Sequence, residues 1–385
     1  MNVRKCSSFK KRNQRNSVST LLILFTIMLL CIEKVTAATN IYSHAASGMF
    51  SSGVQTDPAR VYVPNSLNNT LTIIDQKTYS ILETIKIGKE PQHVIPSYDL
   101  KTLWVLIDGG NSVLPIDPKT SKLGNEIKVD RPYNLYFTMD GRFAIVIDDL
   151  HKRFDFRDPH TMQLIESVPV NCSGLNHMDF TEDGLHAVAS CEISGNLVKL
   201  DVNARKILGY VSLTSENINN VKAMPQDVRL SPDGSTFYVA DMSRDGVYLI
   251  DAKDFRQTGF IKTGIGAHGI YPSRDGKYFY VSNRGCHTMN GCAPKGPGSI
   301  SVIDPALKIV VQNWPIEGGG SPDMGNINAD GSELWLSGRH DHEVYVFETK
   351  TGKLIHRIPV LAGPHGLAVW PQPGRFSLGH TGNMR

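Results

Sequence analysis

The sequence predicts an all-β fold, a seven-bladed β-propeller with four strands in each blade. Three observations support this prediction. Units of short strands recur along the chain with a period of about 40–45 residues, which is typical of propellers. The best-formed unit reads Pro225-Gln-Asp-Val-Arg-Leu-Ser-Pro-Asp-Gly234 and then Thr236-Phe-Tyr-Val-Ala-Asp241, which is a strand, a tight turn and a second strand. The following strand of each unit ends in an acidic residue, and seven such strands are present.

Acidic residues mark each unit along the chain. The acid-ended strands are Leu71–Asp75, Val113–Asp117, Phe154–Asp158, Leu197–Asp201, Val247–Asp251, Ile300–Asp304 and Val344–Glu348. The tight turns carry Asp99, Asp140, Asp183, Asp233, Asp275 and Asp330, with Gln372 in the last position. Successive turn positions are 41, 43, 50, 42, 55 and 42 residues apart. The two long spacings indicate insertions, at Ser215–Val221 and at Cys286–Gly298.

The ring is predicted to close by joining the two ends of the chain. The last inner strand, Gly366–Trp370, is C-terminal, whereas its expected partners lie near the N-terminus. These partners are Arg60–Val63, Leu71–Asp75 and Ser80–Ile87. Such closure protects strand edges. The propeller is therefore expected over 58–370, with an N-terminal extension at 38–57 and a tail at 371–385. The tail segment Arg375-Phe-Ser-Leu-Gly is an alternative occupant of the place given to Arg60–Val63, and this point stays open.

Residues 1–37 are expected to be a signal peptide. A basic stretch precedes an apolar run from Leu21 to Ile32, and Val35-Thr-Ala37 then forms a cleavage signal. These residues carry seven Lys/Arg and one acid, a net charge of +6. The whole chain has a net charge of +3, so the mature protein has a net charge of −3. The sequence predicts a periplasmic or secreted protein with no membrane span after cleavage. No basic patch with interleaved aromatic residues is present, which argues against nucleic-acid binding.

Four cysteines remain after cleavage, and an even number in an exported protein favours disulfides. Cys286 and Cys292 bracket a short loop. Cys172 and Cys191 flank one hairpin at similar distances from its turn. Both pairs are predicted to form disulfides, with four free thiols as the alternative.

Several strands carry a recognisable motif. Arg60-Val-Tyr-Val-Pro-Asn65, Phe237-Tyr-Val-Ala-Asp241 and Tyr280-Val-Ser-Asn283 resemble the Tyr-Val-Thr-Asn signature of the YVTN (YncE-like) β-propeller family. The resemblance covers residues 58–370. The wider group is similar to the haem d1 propeller of cytochrome cd1 nitrite reductase and to the lactonase propellers. The resemblance implies the fold and leaves the chemistry open, because propellers of one architecture host different functions.

The position that enters each innermost strand is predicted to line the mouth of the central channel. Aligning the units on their turns places seven polar residues there: His93, Asn134, His177, Asp227, His268, Asp323 and His365. Four of the seven are histidines, and convergent imidazoles can hold copper, zinc, iron or haem. The metal hypothesis uses His93, His177, His268 and His365. The alternative is a wet channel whose polar residues bind only water.

The loops after the second strands open on the same face. They carry Asn65, Asp108, Asp148, Glu192, Asp241, Arg284, Arg339, His340 and His342, with His380 in the tail. Arginine forks bind carboxylates in a bidentate manner, so Arg284 and Arg339 favour an anionic ligand. A surface or blade-bridging role for each arginine is the alternative.

Two familiar cofactor motifs are excluded. Gly264-Ile-Gly-Ala-His-Gly269 matches a dinucleotide fingerprint, but it joins two blades and no helix follows it. No Cys-x-x-Cys-His sequence is present, which excludes covalent attachment of a c-type haem.

Three functions stay open, and the sequence does not decide whether the protein is an enzyme. The first is an exported monomer that binds a small molecule, an anion or a metal at the channel mouth without turnover. The second is an oxidoreductase or cofactor-handling protein of the haem d1 or copper type, using copper, iron or non-covalent haem. The third is a lactonase-like hydrolase whose divalent metal is held by Glu192, Asn134, Asp227 and Asp323.

Overall fold

The structure, a computed structural model, describes residues 40–214, 221–288, 292–380 and 382–385. The expected signal peptide and nearly all of the insertion at Ser215–Val221 lie outside these residues. The described residues form 28 β-strands and two short 3-10 helices, η1 (Ser43–Ala45) and η2 (Val54–Thr56). Within these ranges there is no helix long and apolar enough to span a membrane.

The strands form seven four-stranded antiparallel sheets, so the predicted seven-bladed propeller is confirmed. Blades 1 to 3 comprise β1 (Arg60–Asn65), β2 (Thr70–Asp75), β3 (Ile81–Lys86), β4 (Pro91–Pro96), β5 (Leu103–Ile107), β6 (Ser112–Ile116), β7 (Ile127–Lys128), β8 (Pro132–Phe137), β9 (Ala144–Asp148), β10 (Arg153–Arg157) and β11 (Leu164–Pro169). Blades 4 and 5 comprise β12 (Leu175–Phe180), β13 (His186–Cys191), β14 (Asn196–Asp201), β15 (Lys206–Ser212), β16 (Pro225–Leu230), β17 (Thr236–Asp241), β18 (Gly246–Asp251) and β19 (Gln257–Lys262). Blades 6 and 7 comprise β20 (Ala267–Pro272), β21 (Phe279–Asn283), β22 (Ser299–Asp304), β23 (Ile309–Pro315), β24 (Pro322–Ile327), β25 (Glu333–Gly338), β26 (Glu343–Glu348) and β27 (Leu354–Pro359), and β28 (Ala368–Trp370) completes blade 1.

The ring closes through the two ends of the chain. The inner strands β4, β8, β12, β16, β20, β24 and β28 contact their neighbours in turn around the axis. C-terminal β28 pairs antiparallel with N-terminal β1, with Tyr62 opposite Ala368. The tail segment that could have competed for this place lies elsewhere, because Gly379 forms a bridge with Tyr136 of blade 3.

The hydrophobic core lies between adjacent blades. One cluster combines Ile145 and Phe154 of blade 3 with Phe180 and Val198 of blade 4, all of them fully buried. Strands β1, β4, β12 and β16 are buried along nearly their whole length, whereas the outermost strands, such as β3, are largely exposed. Burial of one such large apolar side chain contributes about 1.5–3 kcal/mol. The blades therefore hold each other in place, and the inner strands form a rigid wall around the axis.

The recurring acids at the ends of the third strands serve the turns. The carboxylate of Asp75 accepts hydrogen bonds from the amide N–H groups of Lys77 and Thr78, at 2.9 and 2.8 Å. The bond from Thr78 is the main cause that lowers the pKa of Asp75. Asp233 does the same for the Ser-Pro-Asp-Gly turn by accepting from Ser235 N–H at 3.1 Å. These acids therefore belong to the fold and not to a site.

Both predicted disulfides are present. Cys172 is joined to Cys191 with Cα atoms 6.0 Å apart, and Cys286 to Cys292 with Cα atoms 5.5 Å apart. The first bridge ties the segment that enters inner strand β12 to the end of β13. The second closes the loop of the predicted insertion in blade 6.

Candidate functional site

A β-bulge places six of the seven channel residues on their inner strands, whereas His365 lies just before β28. Inner strands β4, β8, β12, β16, β20 and β24 each contain one extra residue relative to their partner near their first residues. In β4, for example, Pro91 lies opposite Ile107 and His93 opposite Leu106. A bulge turns a side chain out of the regular alternation. This local feature aims His93 and its equivalents at the axis.

The seven channel residues are all buried, with exposures between 0 and 2%. The imidazole ring of His93 lies 4.8 Å from that of His365 and 5.9 Å from that of His177, measured between ring centroids. His268 lies 6.2 Å from His177 and 6.3 Å from His365. The four histidines named from the sequence therefore surround one small space.

His380 of the tail joins this group. The tail enters the channel from the end where the inner strands finish, since Ser377 N–H bonds to Tyr98 and His380 N–H to Leu135. The His380 ring, fully buried, lies 4.6 Å from the His177 ring and 5.9 Å from the His93 ring. The sequence had suggested His380 only as a tail residue near the channel, and the structure places it among the imidazoles.

The same end of the channel is covered by both termini of the described chain. Arg385 forms an ion pair with Asp179 at 3.4 Å, and its guanidinium lies 4.6 Å from the ring centre of Tyr42. The hydroxyl of Tyr42 in turn donates to the carbonyl of Leu230 at 2.7 Å. These contacts close the end of the channel that lies opposite the mouth.

The hydrogen bonds of the imidazoles fix which nitrogen carries a lone pair. Nδ1 of His93 lies 2.9 Å from the carbonyl oxygen of Tyr133, and because a carbonyl only accepts, Nδ1 carries the proton and Nε2 the lone pair. Asn134 accepts the N–H of Leu135 through Oδ1, so its Nδ2 donates to Nδ1 of His177 at 2.9 Å and to Nδ1 of His380 at 3.2 Å. His177 and His380 thus each have an Nδ1 lone pair.

Three imidazole nitrogens around the axis have no hydrogen-bond partner among the described residues, namely Nε2 of His93, His177 and His365, and Nε2 of His340 at the mouth has none either. Burial lowers the pKa of His93 and of His177 well below the ordinary value, and the neighbouring imidazoles add to this effect. Burial also lowers the pKa of His365, to about 4. These rings are therefore neutral at pH 7, which is the form that binds metal ions.

The acids of the ring are already engaged. Asp323 binds Arg284 through Nε at 2.7 Å and His365 through Nδ1 at 2.6 Å. Burial raises the pKa of Asp323, but Arg284 and the adjacent imidazoles outweigh it and hold the pKa well below its usual range. Asp227 accepts the backbone N–H groups of Val228 and Ile270, each at 2.9 Å. Asp227 therefore links two blades.

Arg339 and Glu192 lie above the ring at the mouth. Within the described residues the half-buried guanidinium of Arg339 makes no hydrogen bond or ion pair. Burial lowers its pKa, the charge of Asp323 opposes this shift and the charge of Arg284 adds to it. Glu192, 5% exposed, accepts from Gln226 at 2.7 Å, and burial raises its pKa. An opening of about 440 Å³ adjoins Arg339, lined also by Leu67, Cys292, His340 and His342.

Four of the remaining candidates have local structural partners. Asn65 donates to Thr72 at 2.9 Å, Asp148 accepts from His151 at 2.6 Å, and Asp241 accepts the N–H of Arg244 at 2.9 Å. Asp108 pairs with Arg131 at 2.8 Å, and burial, with Asp149 close by, raises its pKa to about 7. The structure does not bring these residues to the imidazoles.

Sequence reasoning missed Tyr133. Its ring lies 5.5 Å from the His93 ring and 6.1 Å from the His177 ring, so it covers both imidazoles on the side of the mouth. It precedes Asn134 by one residue, and the repeat does not mark it, because the bulge at this point is seen only in the folded chain.

Known proteins of similar sequence and structure were identified. A family model described as YNCE-like beta-propeller matches residues 36–373. Antigen Lp49 of Leptospira interrogans is 31% identical over 146 residues, which are 36% of this chain and 32% of that protein. The match thus spans about a third of the length of that curated relative.

Solved structures share the fold. Hydrazine synthase of Kuenenia stuttgartiensis is 19% identical with a TM-score of 0.58, covering 72% of this chain and 88% of that one. Dihydro-heme d1 dehydrogenase NirN, in complex with DHE, is 14% identical with a TM-score of 0.59, covering 83% and 77%. A putative 6-phosphogluconolactonase of Bacteroides uniformis is 18% identical with a TM-score of 0.63, covering 81% and 99%. At these identities the similarity shows the fold alone.

Proposed function

The chain belongs to the YNCE-like β-propeller family, and since that fold does not fix a chemistry, we propose a function from its own channel: it binds a small carboxylate-bearing molecule at the mouth, without turnover. The carboxylate would face the guanidinium of Arg339, with the imidazole of His340 beside it. The remainder of the molecule would fill the adjoining opening of about 440 Å³.

One observation carries this proposal: a half-buried cation at the mouth without a counter-ion among the described residues. Arg284, the neighbouring guanidinium, is already neutralised by Asp323. The remaining uncompensated charge in a partly desolvated site favours an anion beside it. A planar carboxylate matches the two parallel N–H groups of a guanidinium.

The test is calorimetric titration of the mature protein with a panel of mono-, di- and tricarboxylates. We expect at least one to bind, and Arg339→Gln to weaken that binding by roughly 10–100-fold, because a hydrogen bond to a charged group contributes about 1.5–3 kcal/mol. Added salt should weaken binding further. The matched control is Arg256→Gln, an exposed arginine 3.7 Å from Asp254. Equal affinity of Arg339→Gln and wild type would contradict the proposal.

The proposed site of action is outside the cytoplasm. Two disulfides in a chain of this size are typical of oxidising compartments. N-terminal sequencing of the protein recovered from the periplasm or medium should begin after Ala37. Recovery of only the uncleaved chain from the cytosol would contradict export.

A second candidate, handling of a metal-containing cofactor, is favoured by the five imidazoles around the axis. Non-covalent haem would be detected as a shifted Soret band when haemin is added to the purified protein. The lactonase hypothesis finds less support, because Asn134, Asp227, Asp323 and Glu192 each have partners already.

A further inference from the structure

Among the described residues, one group of three or more His, Cys, Asp and Glu side chains brings a donor atom from each to within 4.8 Å of the others. It consists of His93, His177 and His380, all fully buried. Two of these residues come from inner strands of blades 2 and 4. The third comes from the tail, which lies outside the repeat.

We propose that His93, His177 and His380 form a three-imidazole site for a divalent late transition-metal ion, and that the tail completes this site by supplying His380. This inference goes beyond binding of a carboxylate at the mouth and does not depend on it. Imidazole nitrogens suit zinc, copper, nickel and cobalt, and three of them leave one coordination position open.

The outer contacts of two of the three rings support this assignment. A ligating histidine usually donates its other ring N–H to a carbonyl or a carboxylate, which fixes the ring and its tautomer. His93 donates from Nδ1 to the carbonyl of Tyr133 at 2.9 Å. His380 has Nε2 3.2 Å from Oδ1 of Asp227, so its Nδ1 carries the lone pair. In both rings the nitrogen that does not face the proposed ion is therefore held by an acceptor, as it is in ligating histidines.

His177 has no such outer contact among the described residues, and it is related to His380 through Asn134 instead. The lone pairs on Nδ1 of His177 and Nδ1 of His380 both point at Nδ2 of this one amide, so they converge on a common region. A tetrahedral ion with nitrogen donors at 2.0–2.1 Å holds those donors roughly 3.4 Å apart. Closing from 4.8 Å requires the Asn134 amide to swing aside and the rings to move together by about 1–1.5 Å.

The set differs from the one that the repeat alone suggested, which included His268 and His365. Nδ1 of His268 faces the sulfur of Met324 at 3.1 Å and Asp323 at 3.2 Å. Nδ1 of His365 is taken by Asp323 as well. These two rings are bound to the Asp323–Arg284 pair, whereas His93, His177 and His380 are not.

The test uses the mature full-length protein, stripped with a chelator and titrated separately with CoCl₂, CuSO₄ and ZnCl₂ in the absence of any carboxylate. We expect one equivalent to bind, and the Cu²⁺ form to show nitrogen hyperfine structure in its electron paramagnetic resonance spectrum. His93→Gln, His177→Gln and His380→Gln should each lower the affinity by at least roughly 100-fold, since loss of outer contacts alone costs 10–100-fold. The exposed-turn variant His160→Gln is the matched control.

His380→Gln and His268→Gln together decide between the two sets. Loss of binding in His380→Gln, with binding kept in His268→Gln, supports the tail site; the reverse pattern overturns it. The proposal is also overturned if the wild type binds none of the three ions stoichiometrically. This second measurement uses the wild type alone, so it does not depend on whether a variant folds. Since carboxylate titration uses Arg339→Gln as its variant, failure of one proposal is distinguishable from failure of the other.

Discussion

Asp323 is a buried carboxylate that several side chains share. It binds Arg284, His268 and His365, and none of the four is more than 2% exposed. One negative charge thereby stabilises a guanidinium and orients two imidazoles. At the scale of single residues, this network separates the mouth into a compensated part around Asp323 and an uncompensated part around Arg339.

The buried imidazoles make stability depend on pH. The pKa of His365 is about 4 in the folded protein and about 6.5 in the unfolded chain, so between these values the unfolded chain binds more protons. The free energy of unfolding should therefore fall as pH decreases from 6.5 to 4, by about 3 kcal/mol from this group. His93, His177 and His268 act in the same direction, because burial lowers their pKa too.

Urea unfolding at pH 7, 6 and 5 measures this dependence. His365→Gln should show a shallower slope than the wild type, by up to 1.36 kcal/mol per pH unit. The exposed-turn variant His160→Gln should keep the slope of the wild type. Equal slopes for His365→Gln and wild type would contradict the assignment of the pH dependence to the ring.

The channel residues could be predicted one by one because each lies at a fixed position within its copy of the repeat. His93 and His177 lie at the same offset from their turns, and a repeat that folds the same way seven times carries that offset to the axis. His380 has no such fixed position, since the tail contains no copy of the repeat. Its position results from burial of Leu378 and Met384, both at most 1% exposed, and only the folded chain shows where they pack.

At the scale of elements, the bulge on six of the seven inner strands connects the repeat to the site. Strand ends were predicted within one or two residues, for example Leu197–Asp201 against Asn196–Asp201. The bulges were not predicted, because an extra residue shared by six of the seven copies leaves the spacing between those copies unchanged. The loops that lead into the inner strands are held by contacts outside the repeat. The Cys172–Cys191 disulfide is one such contact, since it fixes the loop that leads into β12.

Removing the Cys172–Cys191 bridge should lower the free energy of unfolding more than removing Cys286–Cys292. The first closes 19 residues and its sulfurs lie in the core between blades 3 and 4, whereas the second closes 6 residues near the surface. The chain-entropy relation gives about 3 kcal/mol against about 2 kcal/mol. The two double variants, Cys→Ser at each pair, are matched in chemistry. Urea unfolding of both tests the order, and a larger loss for the Cys286–Cys292 pair would refute it.

At the scale of the whole molecule, the C-terminal segment has two roles. One part of it closes the ring of blades, and another part occupies the channel. Strand β28 closes blade 1, and the residues after it fill the end of the channel. The closure was predictable from the count of strands, because blade 1 lacks one strand at the N-terminal side. The occupation of the channel was not.

Two truncations separate these roles. A chain ending at Pro373 keeps β28, so we expect it to fold cooperatively with a free energy of unfolding lower by about 4–8 kcal/mol, from the lost burial of Leu378 and Met384. A chain ending at Leu367 leaves the edge of β1 unpaired, which favours aggregation. Scanning calorimetry and size-exclusion chromatography compare them with the full chain. Cooperative unfolding of the shorter chain, equal to that of the longer, would show that β28 does not close the ring.

The pairing of β28 with β1 also has a consequence for incomplete chains. A chain that folds from its N-terminal end can complete blades 2 to 7 in order, but blade 1 has only three strands until Trp370 pairs with β1. A stalled or clipped product that stops earlier keeps an open seam, which a protease can recognise. The residues that seal the seam lie just before His380 in the chain. Any chain that is long enough to place His380 in the channel therefore already contains the strand that closes the ring.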